Sequence, residues 1–194
     1  MAKKRKKTVG SNKVCQLKIT ILESDPPIWR RFLVPCNIKL SELHYVIQVV
    51  MGWEDEHLHD FKKGQVIYEM PHLDMFPKFV ETRNESKYTL RDLLRVPNSK
   101  MIYTYDYGDN WEHELVLEKI MDYEGGQLPV CLEGALACPP EDCGGIWGYY
   151  EMLEVLENPD HPEYEEMREW MGEDFDPEKF DLDKVNRQLR EFSR

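Results

Sequence analysis

Three cysteines in the second half of the chain, Cys131, Cys138 and Cys143, are the first residues whose type suggests chemistry. The last two enclose the segment CPPEDC (138–143), in which two prolines and an acidic pair separate the thiols. Zinc binds cysteine thiolates, but strong zinc signatures place them in closer pairs, C-x2-C. The spacing leaves two interpretations open: a stiff loop of metal ligands, or a proline-rich connector in which Asp142 caps the next helix.

Histidines form the second group. His57 and His59 lie in the segment HLHD, and the two-residue repeat of a strand would place both imidazoles on one side. His113 alternates in phase with Trp111 and Leu115, which indicates a core position. Such histidines are either hydrogen-bonded structural residues or metal ligands. If the fold brings them to the CPPEDC loop, we expect a mixed nitrogen–sulfur zinc site made of His57, His59, His113, Cys138 and Cys143.

An acidic turn is the third feature. In YDYGDNWEHE (105–114), Asp106 and Asp109 flank Gly108 and Glu114 follows, so the segment is either the polar tip of a hairpin or a set of carboxylates around a hard cation. Several known motifs are missing from the sequence: G-x-x-x-x-G-K-[ST], G-x-G-x-x-G, H-E-x-x-H and G-x-S-x-G. Phosphate cradles and serine-hydrolase sites therefore have no support.

The elements that must position these residues begin with a hairpin. Alternating apolar residues predict strands at 16–22 and 28–35 around the turn ESDPP. The segment that follows has an apolar stripe at helical spacing, between Ser41 as the expected N-cap and Gly52 as the expected stop. We therefore predict two antiparallel strands followed by a helix.

The middle of the chain continues the sheet. Two short strands are expected about residues 63–64, followed by an irregular segment at 70–86. A short helix begins where Thr89 and Asp92 have capping-box spacing, and alternation over 100–120 predicts a further hairpin. The order strand, strand, helix, strands, short helix, strand predicts an α+β fold with a β-grasp (ubiquitin-like) sheet.

Three acidic helices are expected at the C-terminal end, in GYYEMLEVLENP, HPEYEEMREWMG and DLDKVNRQLREF. Each carries a narrow apolar stripe, and helices this short need a packing partner, so we expect all three to pack on the sheet. We predict a disordered basic arm at residues 1–13 and one α+β domain at 14–194. Within that domain the sheet core is expected at 14–121, a Cys/Pro/Gly loop at 122–145 and the helices at 146–194.

Charge is distributed unevenly along the chain. The formal net charge is −12, and residues 151–183 hold fourteen Asp or Glu against Arg168 and Lys179. An acidic body repels phosphate backbones, which disfavours broad nucleic-acid binding by the folded part. The exception is the N-terminal arm, which is either a solubilising tail or a nucleic-acid contact made by Lys3, Lys4, Arg5, Lys6 and Lys7.

The sequence also bears on the compartment. No stretch approaches the ~18 uninterrupted apolar residues of a membrane helix, and the basic N-terminus lacks the apolar core of a secretory signal. We therefore expect a cytoplasmic protein without membrane contact. In a reducing compartment the five cysteines should be thiols or ligands and not disulfides.

Five segments resemble one known family, the Ri-plasmid open-reading-frame-three-like family: PPIWRRFLVP, LSELHYVIQVVMGWEDEHLHDF, YDYGDNWEHELVLEKI, CLEGALACPPEDCGGIWGYYEMLE and FDPEKFDLDKVNRQLR. The family is also labelled an insertion-element passenger of resolvase type. The resemblance, over residues 14–192, implies an intracellular prokaryotic protein with a compact α+β fold, associated with mobile elements. It brings no established activity and no catalytic residues, and the H-x-x-R pair of a tyrosine recombinase does not occur in this sequence.

Because no catalytic constellation is complete, the sequence favours a non-enzymatic protein-interaction module associated with mobile elements. Its acidic helices would bind a partner with a basic face. A zinc-binding protein, structural or hydrolytic, is the first alternative. A DNA-binding accessory protein of a transposable element, acting through the basic arm, is the second.

Overall fold

The structure, a computed structural model, describes residues 13–71, 80–123, 125–172 and 174–192. The basic residues predicted to contact nucleic acid, Lys3, Lys4, Arg5, Lys6 and Lys7, lie outside these ranges. Lys13, assigned to the end of the arm, begins the first strand. No helix in these ranges is both long enough and apolar enough to cross a bilayer.

The described residues form one sheet of eight strands. Its spatial order is β5-β4-β3-β6-β7-β1-β2-β8, and every neighbouring pair is antiparallel except β4 and β5, which are parallel. The strands are β1 (Lys13–Ile21), β2 (Trp29–Pro35), β3 (His59–Lys63), β4 (Val66–Glu69), β5 (Glu81–Asn84), β6 (Lys100–Tyr105), β7 (Trp111–Asp122) and β8 (Val130–Ala135).

Helices pack beside this sheet. They are α1 (Leu40–Met51), α2 (Leu90–Leu93), α3 (Gly145–Glu157), α4 (Tyr164–Met171) and α5 (Leu182–Phe192), together with a 3-10 turn at Glu85–Lys87. In the most extensive helix contacts, α5 packs against β8 and α1, and α3 packs against α4. Gly52 ends α1 as expected, since its left-handed φ of 106° lets its N–H bond to the Gln48 carbonyl oxygen.

The α+β character of the chain fits the structure, but the predicted β-grasp arrangement is wrong. Two strands lie in segments that were expected to be irregular: β5 within 70–86 and β8 within 122–145. Both are edge strands of an eight-stranded sheet in which β1 pairs antiparallel with both of its neighbours. Their sequences, ETRN and VCLEGA, lack the clean apolar alternation by which the inner strands could be recognised.

The expectation of five unpaired cysteines is also wrong. Cys15 and Cys36, both buried, form a disulfide, whereas Cys131, Cys138 and Cys143 are free. The register of β1 and β2 explains the pairing: Val14 lies opposite Pro35, and the Cys36 N–H donates to the Lys13 carbonyl oxygen. A prediction based only on the cellular compartment could not show that strand pairing brings Cys15 and Cys36 together.

Candidate functional site

Three segments singled out in the sequence meet at one end of the sheet. His57 lies just before β3, and Asp106 lies just after β6. Because β3 and β6 are antiparallel neighbours, with His59 opposite Tyr105, the start of one strand adjoins the end of the other. The Asp106 N–H also donates to the Leu58 carbonyl oxygen at 2.9 Å. The sheet itself therefore brings the histidine and the aspartate together.

The CPPEDC loop is bound to the same place by two carboxylates. Glu141 accepts a hydrogen bond from the Glu54 N–H at 2.7 Å, and Asp109 accepts one from the Gly144 N–H at 3.0 Å. The first contact joins the loop to the segment after α1, and the second joins it to the turn after β6. The loop therefore closes over His57.

The resulting cluster contains one imidazole and three carboxylates. Asp106 Oδ1 lies 3.7 Å from His57 Nδ1, while Asp142 Oδ1 and Glu141 Oε2 lie 3.2 Å and 3.5 Å from its Nε2. One ligand atom from each of His57, Asp106 and Asp142 falls within 4.8 Å of the others. Within the described ranges this is the one set of three or more His, Cys, Asp or Glu side chains arranged closely enough to share a metal ion.

The Nε2 atom of His57 lacks a hydrogen-bond partner among the described residues. It is enclosed by the protein, yet it makes no hydrogen bond to any residue that the structure describes. The carboxylate oxygens of Asp142 and Glu141 are near enough to bond but lack the required geometry. A buried polar atom without a partner is costly, so a bound ion would supply what this nitrogen lacks.

Glu141 is held in place from a second direction. The Tyr105 hydroxyl donates to its carboxylate at 3.0 Å, and the Glu56 N–H in turn donates to the same hydroxyl. Burial raises the pKa of Glu141, although the bonds from Glu54 and Tyr105 oppose this change. Burial, followed by the nearby Glu141 carboxylate, raises the pKa of Tyr105, which keeps it a neutral donor.

The backbone is distorted at two of the cluster residues. Asp106 and Asp142 have φ values of 55° and 56°, in the left-handed region that residues other than glycine seldom occupy. The Asp106 carboxylate stabilises its own turn by accepting from the Gly108 N–H at 2.8 Å. Such conformations cost about 1–3 kcal/mol and concentrate at functional sites.

The other predicted histidines lie in the core behind the cluster. His59 stacks on His44 with ring centroids 3.4 Å apart, and its Nε2 lies 3.0 Å from the buried carboxylate of Glu85. His113 is fully buried and its Nδ1 lies 3.2 Å from the Tyr103 carbonyl oxygen. The structure therefore brings only His57 of the three to the CPPEDC loop.

Burial raises the pKa of both cysteine thiols in the loop. Cys143 is buried with its thiol 3.8 Å from the Gly145 carbonyl oxygen, and burial raises its pKa to about 12. Burial raises the pKa of Cys138 as well, against a smaller opposing effect of Arg30. Metal ligation needs the thiolate, which this environment disfavours.

The remaining predicted polar residues divide in the same way. Asp106 belongs to the cluster, Asp109 connects the turn to Gly144, and Glu114 forms an ion pair with Lys100 at 2.8 Å on β7. Glu141, Asp142 and Tyr105 were not predicted. The available signal was the acidic pair inside CPPEDC, but Asp142 was considered only as a possible helix cap. The structure does not show that role, because the cap position of α3 is Gly144 and no side chain caps it.

Comparison with known proteins identifies the family of this chain. Residues 13–184 match the family model of plasmid pRiA4b ORF-3-like proteins. The chain belongs to that family. The resemblance of the five sequence segments is therefore confirmed.

Two relatives of this pRiA4b ORF-3-like chain extend the comparison. It is 36% identical to the uncharacterized protein y4hQ of Sinorhizobium fredii over 176 residues. The aligned region covers 90% of this chain and 89% of the relative. The crystal structure of MM3350 from Methanosarcina mazei Go1, a protein of unknown function, has a TM-score of 0.81 and 42% identity, over 89% of this chain and 97% of that one. The family thus supplies a shared fold and no reaction.

Proposed function

We propose that this protein binds a divalent cation through His57, Asp106 and Asp142, with Glu141 as a further ligand. The convergence of one imidazole and two carboxylates, whose ligand atoms lie within 4.8 Å of one another, carries this proposal. The three segments involved are far apart in the chain. They are held at one point by hydrogen bonds from the Asp106 N–H to the Leu58 carbonyl oxygen, from the Glu54 N–H to Glu141, and from the Gly144 N–H to Asp109.

The donor atoms indicate the kind of cation. One imidazole nitrogen with carboxylate oxygens suits Zn²⁺, Mn²⁺ or Fe²⁺ better than Ca²⁺ or Mg²⁺, which prefer oxygen alone. Neither Cys138 nor Cys143 belongs to the set of close ligand atoms, so the proposed site contains no sulfur. Four protein ligands in a six-coordinate site, or three in a tetrahedral one, leave room for water, as catalytic metal sites do.

The test is calorimetric titration of the full chain with ZnCl₂, MnCl₂ and MgCl₂. We expect one equivalent of Zn²⁺ or Mn²⁺ to bind, and binding to be at least tenfold weaker in His57→Ala and in Asp142→Asn. Asp142 is largely exposed, so its variant should fold normally. Saturating metal at about 100 times Kd should stabilise the protein by about 2.7 kcal/mol.

Two control variants separate this site from the alternatives. Glu112→Gln removes an exposed carboxylate of β7 and should leave metal binding unchanged. Cys143→Ser tests the nitrogen–sulfur set and should also leave it unchanged. Undiminished binding in His57→Ala, or a loss confined to Cys143→Ser, would show that this proposal is wrong.

We propose, as a second function, that the acidic helices bind a partner protein with a basic face. The supporting observation is that α3 and α4 carry exposed carboxylates next to exposed apolar surface, including Trp147 at 72% and Trp170 at 47% of full exposure. Cytoplasmic location, association with mobile elements and DNA contact through residues 3–7 stay predictions from the sequence.

A further inference from the structure

A groove of about 590 Å³ separates α3 from α4. The segment after α4 closes one side, and the β1–β2 turn at Asp25 and Pro26 closes another. Tyr150 fixes this turn against α3, since its hydroxyl accepts from the Asp25 N–H at 2.7 Å and donates to the Asp25 carbonyl oxygen. The groove, here called the α3–α4 groove, is therefore formed before any ligand arrives.

The floor of the α3–α4 groove is apolar. Leu153 and Leu156 of α3 face Met171 and Phe175 across it. Met171 is buried, but the two leucines and Phe175 are only partly buried and lie at the margin of the core. Further burial of these three side chains would be favourable at roughly 25 cal/mol per Å² of apolar surface.

The rim of the groove is acidic. Carboxylates of Asp25, Glu154, Glu157 and Glu178 line it, and Arg168 is the one cation among the lining residues. The rim continues into the acidic surface of residues 151–183. An apolar floor between carboxylates fits an occupant that has an apolar stripe flanked by Lys or Arg.

The walls determine the backbone of that occupant. Both long walls are helices, whose backbone groups are already bonded internally, so no strand edge is offered to an extended peptide. A segment that enters must satisfy its own backbone hydrogen bonds, as a helix does. We propose that the α3–α4 groove receives a basic amphipathic helix of a partner protein, an inference that rests on the second function proposed above.

The test uses a defined probe: a fluorescent peptide of about 18 residues, long enough for helix formation, with Leu at i, i+3, i+4 and i+7 and Lys elsewhere. A second peptide carries Glu in place of Lys. Fluorescence anisotropy with the full chain should show binding of the Lys peptide only, weakening at least tenfold between about 0.05 and about 0.5 M salt.

Matched variants locate the binding surface. Leu153→Gln in the floor should weaken binding at least tenfold, and Glu154→Gln with Glu157→Gln should weaken it severalfold and reduce its salt dependence. The controls are Leu132→Gln, an exposed leucine on β8, and Glu165→Gln with Glu169→Gln, carboxylates of α4 outside the groove lining. Both controls should bind as the wild type does.

Each contrary outcome has a distinct meaning. Loss of binding in the α4 control, with the groove variants unaffected, would overturn the groove and leave the interaction function standing. No binding of the Lys peptide to any variant would overturn both. Self-association of the wild type in sedimentation, abolished by Leu153→Gln, would assign the groove to a second copy of the chain and overturn the partner helix.

Discussion

Asp60 shows at the scale of one residue how burial determines the behaviour of a charge. Asp60 lies on β3 and is 8% exposed, and burial raises the pKa of its carboxyl group to about 6 even though the Tyr107 hydroxyl donates to it. In the unfolded chain an aspartate titrates near pH 4. The folded protein therefore holds this proton more tightly than the unfolded chain does, and ionised Asp60 destabilises the fold at neutral pH.

Replacement Asp60→Asn should remove that cost. The free energy of unfolding of the wild type loses a contribution as pH rises from about 4 to about 6, so the variant should be more stable by about 1–3 kcal/mol at pH 7.5 and nearly equal at pH 4. Urea unfolding at the two pH values measures the difference. Asp174→Asn, at an exposed position, is the control and should show no such difference.

A variant that is destabilised more at pH 7.5 than at pH 4 would contradict the burial account of Asp60. Its carboxylate would then be making a favourable interaction in its charged form. The Tyr107 hydroxyl is the obvious candidate, since asparagine still accepts its hydrogen bond but without the charge.

Among the elements, α3 depends on one close approach. A Cβ atom on Gly148 would lie 2.0 Å from the Cys143 carbonyl oxygen, a contact that real structures do not show. Gly148 is a helical residue of α3 with no left-handed φ, so steric fit and not backbone freedom explains the glycine. This approach sets the start of α3 against the CPPEDC loop and thereby places Asp142.

Replacement Gly148→Ala tests that account, because alanine inside a helix normally stabilises it by about 1 kcal/mol relative to glycine. Here we expect destabilisation by about 1–3 kcal/mol, the usual cost of overpacking, together with weaker metal binding. Thermal unfolding and calorimetric titration measure the two effects. Glu151→Ala, at an exposed position of the same helix, should change neither, and a stabilised Gly148→Ala would refute the steric account.

The elements also show which parts of the fold the sequence could predict. Inner strands such as β1 and β7 were found because burial on one face imposes alternation, and α2 was found because Thr89 and Asp92 form the expected capping box. The edge strands β5 and β8 lack a clear apolar alternation in their sequences and were therefore missed. The β-grasp prediction failed because strand order in a sheet depends on these long-range pairings and not on local pattern.

The candidate site was predicted in part for a related reason. His57 and Asp106 were recognised by residue type, but the sequence could not show that antiparallel pairing of β3 and β6 brings them together. Glu141 and Asp142 were not chosen as candidate ligands from the sequence, because the cysteines beside them are better-known metal ligands. The structure places carboxylates and not thiols within reach of His57, and that placement is a property of the fold.

Over the whole molecule, one connector links the two proposed functions. Residues 138–148 contain the proposed metal ligands Glu141 and Asp142, provide the cap of α3 at Gly144, and lead into the helix that forms one wall of the α3–α4 groove. Under the proposed function, the prolines and cysteines of CPPEDC shape and pack this connector, while its acidic pair binds the metal. The arrangement predicts that damage to the connector affects both surfaces.

Stability against acid is a property of the whole molecule, and two buried histidines contribute to it. The pKa values of His44 and of His113 are lowered to about 4, mainly by burial; for His44 the stacked His59 adds to this effect and Asp55 opposes it. In the unfolded chain both titrate near 6.5. Their contribution to stability is therefore complete above pH 6.5 and is lost as pH falls towards 4.

The pH dependence of unfolding should show the net proton balance. Near pH 5 the two histidines take up about two protons on unfolding and Asp60 releases about one. Together these three groups should lower the free energy of unfolding by about 1.4 kcal/mol for each pH unit of acidification. Asp60→Asn removes the opposing proton and should roughly double that slope, which urea unfolding between pH 4.5 and 6 measures. An unchanged slope in Asp60→Asn would contradict the raised pKa of Asp60, and stability that increases towards acid in this variant would contradict the lowered pKa values of both histidines.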